Sequence, residues 1–441
     1  MTDVEVLVVG GGISGLSIAW WLAQAGVSVE VWEQTSRPGG KIQTVKENGY
    51  LMEQAASVVM NFRPEITHFM QKSGLEAYKI LRADTTNRYL VNNGKLLALP
   101  MQLIPMLMSP LWSWRGRLRM FSEIIIPKGG NAQETVSEFI TRRLGKEVLE
   151  KAMDSFITGT LASDPALANA YAVLPRLTYL ESRYGSIAVG VIMNKLLQRK
   201  TAAITEAFSF QGGMQTLINF LAQQTCFRSE HAVTEIAKIG KKWRVSTENK
   251  TVFAQQVVLS TPANIAANLI KPLDKELANC LTEINMAALS VVHLGFSHND
   301  IKHPLDGTGF LTPRKENLAV TGCLWMSSLF SDRVPSGKVL LSSYLSGALQ
   351  DDEQSVTAVM EALKPLLGID CSPENVRIDR HKQGLPLYYG DYTGRMAKII
   401  KHLEKLPGLY LEANYQGGVS VRDRIARAAE VAKKILAWRK I

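Results

Sequence analysis

The residues of this chain with the plainest chemical purpose are glycines. Gly10, Gly12 and Gly15 stand in Gly10-Gly11-Gly12-Ile13-Ser14-Gly15, directly after the apolar, β-branched run 5–9. A stretch of helical period, Leu16-Ser17-Ile18-Ala19-Trp20-Trp21-Leu22-Ala23, follows and stops at Gly26. This spacing suits a dinucleotide. Gly10 permits a tight turn, Gly12 lets backbone approach a pyrophosphate, and Gly15 lets helix pack closely on strand. The helix start at Ile13 and Ser14 offers unpaired N–H groups and the positive dipole end to phosphate. A second run of period two, 27–32, ends at Glu33, followed by Gln34, where a carboxylate can accept the hydrogen bonds of a ribose diol. With strand, turn, helix, second strand and acid in order, a chance glycine-rich turn is a poor account.

Which dinucleotide is indicated by resemblance. Ser36-Arg37-Pro38-Gly39-Gly40-Lys41-Ile42-Gln43-Thr44 resembles the second FAD signature of the amine oxidase and phytoene desaturase superfamily, which implies that Gly39, Gly40 and Lys41 lie beside the pyrophosphate and flavin. Leu409-Tyr410-Leu411-Glu412-Ala413-Asn414-Tyr415-Gln416-Gly417-Gly418-Val419-Ser420-Val421 resembles the C-terminal motif of that superfamily. The resemblance places Gly417, Gly418, Val419, Ser420 and Val421 against the isoalloxazine, with a helix dipole at its N1–C2=O edge. Relatives with covalently attached flavin carry a Cys near here and this chain has none, so non-covalent FAD is expected. Phe210-Gln211-Gly212-Gly213-Met214 is similar to a "GGM" turn of the superfamily, and 231–236 reads as the following strand, with the backbone of Val233 meeting the adenine. No second glycine fingerprint serves a pyridine nucleotide, so oxygen or another small molecule is the expected electron acceptor, with oxygen favoured.

Three stretches narrow the resemblance. Gly159-Thr160-Leu161-Ala162-Ser163-Asp164-Pro165, Leu174-Pro175-Arg176-Leu177 and Leu180-Glu181-Ser182-Arg183-Tyr184-Gly185-Ser186-Ile187 look like protoporphyrinogen oxidase motifs. Two departures stand out: Glu53-Gln54-Ala55-Ala56 lacks the family's glycine, and Ser163 replaces another. The resemblance implies six-electron oxidation of protoporphyrinogen IX to protoporphyrin IX in haem synthesis, by three hydride transfers to flavin N5. No side-chain acid or base is evident, and none is required. It also implies that Arg88 pairs with a substrate propionate, in the bidentate manner a guanidinium permits. Leu311 and Tyr344 would flank the macrocycle. Alternatives are a coproporphyrinogen III oxidase making coproporphyrin III, another flavin oxidase of the superfamily, or a flavin-holding partner protein without turnover. Because coproporphyrinogen-using bacterial relatives tend to lack the arginine, Arg88 favours protoporphyrinogen. His298 and His303 lack a third ligand, so no metal site is expected.

These motifs imply an α/β fold: a Rossmann-like FAD domain assembled from 1–59, 208–264 and 406–441, and two inserts. The first, 60–207, is expected to be mainly helical, with the substrate channel and a membrane-associating segment. The second, 265–405, is expected to be an α+β substrate domain. The 441 residues allow two or three domains, and 46% hydrophobic with 20% charged residues excludes wholesale disorder. The net charge of +10 suits an anionic partner. Residues 96–126 combine apolar residues, Trp112, Trp114, Arg115, Arg117 and Arg119, which suits an anionic membrane surface. No apolar run is long enough to span a bilayer. Widely spaced cysteines and the lack of a signal-peptide pattern predict a peripheral protein on the cytoplasmic face. The basic tail 422–441 reads as a terminal helix with a solvated basic face, and without a recognition motif it predicts no nucleic-acid binding. A homodimer and the next haem-pathway enzyme are further candidate partners.

Overall fold

The computed structural model describes residues 3–84, 87–100, 103–197, 206–347 and 351–438. A seven-stranded sheet organises the nucleotide end. Its path runs Cys226–Arg228, Val29–Trp32, Asp3–Val9, Thr251–Leu259, Lys242–Ser246 and Glu235–Ile239, with Leu409–Leu411 also pairing with Thr251–Leu259. The pairs around Asp3–Val9 are parallel, in the register Val9 with Trp32 and Val9 with Leu259. Strand residues alternate faces, so two cores are needed. Val6 and Val8 join the core under helix Ile13–Ala23 and the terminal helix Val421–Trp438. Leu7 and Val9 join the opposite core, with Ala266 and Ile270 of Ala263–Ile270 and Ile399 of Tyr392–Leu403. The terminal helix buries Val421, Ile425, Val431 and Ile435. At roughly 1.5–3 kcal/mol for each fully buried aliphatic side chain, that stripe fixes it to the glycine-led helix.

The expected strand at 231–236 begins later, at Glu235–Ile239, and Val233 lies in the loop before it. His231 N–H donates to the Glu33 carbonyl, so this loop is still held against the fingerprint. The basic tail is less solvated than its charge suggests. Arg424 is buried and donates to Glu412 and to the carbonyls of Ala413 and Gln416, and Arg427 pairs with Glu412 at 3.0 Å. Residues 439–441 lie outside the described residues.

A second seven-stranded sheet runs Asn375–Pro386, Met286–Ser297, Lys338–Ser346, Val320–Trp325, Gly307–Leu311, Asn87–Asn92 and Lys95–Leu99. Its last two strands form a hairpin from the 60–207 insert, joined to the 265–405 insert by a parallel pair, Phe310 with Tyr89 and Leu311 with Leu90. Helix Asp352–Leu367 covers one face with Val359, Leu363 and Leu367. Segment 103–197 is mainly helical, with loops at 126–135 and 162–169. Arg314 ties it to the second sheet, donating from its backbone N–H and Nε to Asp154 at 2.9 and 2.7 Å and lying 3.0 Å from Asp164.

In segment 96–126, Met101 and Gln102 lie outside the described residues. Trp112 is buried, and Trp114 is exposed on helix Trp114–Phe121. Met108, Leu118, Phe121, Ile124 and Ile125 are also exposed, Ile125 at 82%. Two of the three arginines expected to face lipid are engaged with the protein. Arg117 donates to the Met108 and Ser109 carbonyls, and Arg119 to those of Thr141, Arg142 and Arg143, where a cation offsets the end of helix Val136–Arg143. Among the described residues, no helix is long and apolar enough to cross a membrane.

Candidate active site

The fingerprint glycines open onto a cavity of about 2000 Å³ that runs between the two sheets. Small-molecule sites commonly hold ~300–1,000 Å³, so this space admits a dinucleotide and a second large molecule. Its walls include Gly10, Gly12, Ile13, Ser14, Glu33, Gln34, Gly39, Gly40, Lys41, Val233 and all of 417–421, and also Arg88, Leu311 and Tyr344. Gly15 lies below the wall. A Cβ there would stand 2.1 Å from the Gly10 carbonyl oxygen and 3.0 Å from Val8 Cγ1, so only glycine lets helix and strand meet.

The turn fits a pyrophosphate. Gly12 has no atom of the protein within 4 Å of where a Cβ would be, leaving its backbone open to the cavity. The helix that follows has no side-chain cap and no acid in its first turn, so its positive end is uncompensated by the protein. Gly39, at φ +112°, donates to the Gly11 carbonyl at 2.8 Å and bridges to Gly12, which brings the second glycine pair onto the first. Glu33 is buried at the end of its strand. One carboxylate oxygen accepts from Gly11 N–H at 2.7 Å, and the other from the Thr35 N–H and hydroxyl at 3.0 and 2.9 Å. The oxygen that accepts from Gly11 retains a lone-pair site for a diol at the cavity wall. Lys41 donates to the Gly384 carbonyl at 2.7 Å, and burial pulls its ammonium down to about 8.

On the second sheet three residues form one row. Leu311 pairs with Gly322, and Gly322 with Tyr344. Directly paired residues share a face, so Leu311 and Tyr344 stand on either side of a position with no side chain. Two strand spacings of about 4.8 Å separate their backbones, and Leu311 leans over the bare position, since a Cβ at Gly322 would stand 2.9 Å from Leu311 Cδ2. The helix Asp154–Leu161 forms the opposing wall with Ser155, Phe156 and Gly159, after a π-helical turn at Leu149–Met153. A Cβ at Gly159 would meet Leu311 Cδ2 at 2.6 Å, so this glycine sets how closely that wall approaches. Cys323 lines the space too, but burial pushes its thiol up to about 12, which leaves it un-ionised. Ala55 and Ala56, which replace the usual glycine, are also in the lining. Ser163 is buried beside Ala162, whose φ is +49°. His303, away from the cavity wall, packs against Tyr89 and Trp325 at 5.2 and 4.9 Å.

The sequence reading missed three features of this cavity: Arg82 and Phe156 in its wall, and the bond from Lys41 to a strand more than 300 residues away. Only the aromatic Phe156, three residues before Gly159, offered a signal.

The chain belongs to the flavin-containing amine oxidoreductase family, whose family model matches residues 13–435. FAD is the cofactor of that family, and the cradle described above fits it. The chain is 29% identical to protoporphyrinogen oxidase 2, chloroplastic/mitochondrial, of Arabidopsis thaliana, over 98% of this chain and 94% of that protein. It is 25% identical to coproporphyrinogen III oxidase of Bacillus subtilis, over 98% of both. A crystal structure from Exiguobacterium sp. 255-15, provisionally assigned as a protoporphyrinogen oxidase, covers 99% of each chain at 22% identity with a TM-score of 0.80. Reduced UDP-galactopyranose mutase shares the fold at 13% identity with a TM-score of 0.76.

Proposed function

We propose that the protein oxidises a porphyrinogen, protoporphyrinogen IX to protoporphyrin IX, with oxygen as the terminal acceptor. The observation that supports this reading is that Leu311 and Tyr344, one aliphatic and one aromatic, share a face of the second sheet and line the same cavity as the flavin cradle. Bound non-covalently, FAD supplies the hydride acceptor that no side chain of the cavity can replace. The residues' own work is positioning. The start of helix Ile13–Ala23 and Glu33 hold the two ends of the dinucleotide's polar core. Leu311 and Tyr344 orient the macrocycle and exclude water. Arg88, half-buried in the wall, takes a propionate. Pyrrole N–H protons leave to solvent without a dedicated base.

Full-length relatives with both substrates make coproporphyrinogen III the competing reading, and Arg88 supports the two-propionate substrate over it. The test is oxygen uptake and porphyrin fluorescence with protoporphyrinogen and coproporphyrinogen side by side. Faster turnover of protoporphyrinogen is expected. Preference for coproporphyrinogen would reverse the assignment, and no turnover of either would end it. The exposed residues of 108–125 support peripheral docking on a membrane surface, through apolar contact more than through arginine; the cytoplasmic face is part of the proposal.

A further inference from the structure

Arg88 is not the only cation on its part of the cavity wall. Arg82 follows strand Lys79–Leu81 of a small three-stranded sheet with Val59–Asn61 and Glu206–Phe210, and its own N–H is fixed on the Ala207 carbonyl at 2.8 Å. Arg88 reaches the same wall from a different sheet, where it pairs with Leu99. Both side chains are half-buried. Neither makes an ion pair among the described residues, and the residues outside that set include no Asp or Glu. Asp84, the nearest acid in sequence, is exposed, and Asp306 is taken up by Asn87 and Tyr89 at 3.0 and 2.6 Å.

This arrangement is costly unless something anionic completes it. Charged side chains withdrawn from water are normally paired. Burial pulls the Arg88 guanidinium below its ordinary range, and the Arg82 charge beside it adds to the effect. The wall around them is otherwise largely apolar, with Leu90, Leu99, Pro100 and Leu329, so a neutral polar ligand would leave two cations unanswered. We infer that Arg82 and Arg88 form a two-guanidinium clamp that takes two carboxylates carried on one edge of the ligand, one on each arginine. The clamp rests on the porphyrinogen reading, and it adds a residue that the family resemblance does not supply. A tetrapyrrole with propionates on neighbouring rings meets its demand. A monocarboxylate satisfies half of it.

The test uses the FAD-loaded full chain as wild type, Arg82→Gln and Arg82→Lys, with protoporphyrin IX and its dimethyl ester as probes. Binding is followed by quenching of tryptophan fluorescence, and KM and kcat are measured with protoporphyrinogen. Wild type is expected to bind the diacid about tenfold or more tighter than the diester, the scale of one charge-assisted hydrogen bond. Arg82→Gln is expected to lose most of that preference and to raise KM by a similar factor, while diester affinity and the flavin spectrum stay as in wild type. Arg82→Lys should recover part of the preference, since it restores charge without the fork. Diacid affinity of Arg82→Gln within twofold of wild type, or equal weakening of both probes, would overturn the clamp. If wild type turns over porphyrinogen and Arg82→Gln behaves identically, only the clamp fails. If wild-type holoprotein binds neither probe, the clamp and the porphyrinogen reading fall together.

Discussion

Gly12 and Gly15 lie three residues apart, yet alanine should act at them in opposite ways. At Gly15 the new Cβ would stand 2.1 Å from the Gly10 carbonyl oxygen, against an ordinary contact near 3.4 Å, so helix and strand must part by more than about 1 Å. Overpacking of this kind costs ~1–3 kcal/mol, a fall in Tm of roughly 1–3 °C for a chain of 441 residues. It should appear with or without FAD. At Gly12 the backbone has φ −74° and ψ 177°, which alanine adopts freely, and no protein atom lies within 4 Å. The apoprotein should therefore melt no lower than wild type, and up to about 1 °C above it because the unfolded chain loses freedom. The added methyl instead occupies the approach to the pyrophosphate, and FAD affinity should fall at least tenfold, about 1.4 kcal/mol. Scanning fluorimetry of the apoproteins and flavin fluorescence titration separate the two effects. Wild-type FAD affinity in Gly12→Ala would refute the cradle, and a wild-type melting curve for Gly15→Ala would refute the packing argument.

Other tests reach different parts of the molecule. Glu53 is buried, accepts from Met214 N–H at 2.8 Å and Thr44 Oγ1 at 2.7 Å, and is pushed up to about 7, mainly by burial. A carboxyl raised in the folded state binds its proton more tightly there, so its contribution is full below about 4.5 and is lost as pH rises through about 7. Glu53→Gln should flatten the pH dependence of Tm across that window, and an unchanged slope would remove Glu53 as its source. On the exposed apolar face, Ile125→Asp combined with Trp114→Asp should release the protein from phosphatidylcholine vesicles with 30% phosphatidylserine in a flotation assay. Retained binding would exclude this face, and Arg115→Gln alone should have the smaller effect.

The nucleotide half of the site was readable because its signals are local. Gly10 to Glu33 is one strand, turn, helix and strand, and each glycine answers a constraint set within a few residues. Gly417 to Val421 was equally compact. What sequence spacing does not carry is the direction a long side chain takes once distant elements meet. Arg117, Arg119 and Arg424 all count toward the net charge, yet they turn inward to carbonyls or to Glu412. Arg82 showed no motif, since its value comes from a neighbour on another sheet. The hairpin 87–99 was assigned with the helices around it, although its edge partner, Gly307–Leu311, lies more than 200 residues away. The onset of the strand after Val233 was misplaced because Val233 and Thr234 are β-formers, whereas the paired ladder starts at Glu235 and Thr234 reaches it only by donating to the Ser246 carbonyl at 2.9 Å.

The parallel pairing of Asp3–Val9 with Thr251–Leu259 also has a history in synthesis. At roughly 5–20 residues per second, the first strand leaves the ribosome some tens of seconds before its neighbour exists. During that interval its β-branched side chains and open edge are available to any other extended polypeptide. A chaperone that shields the amino-terminal segment co-translationally should raise the yield of soluble protein more than one acting only on the finished chain.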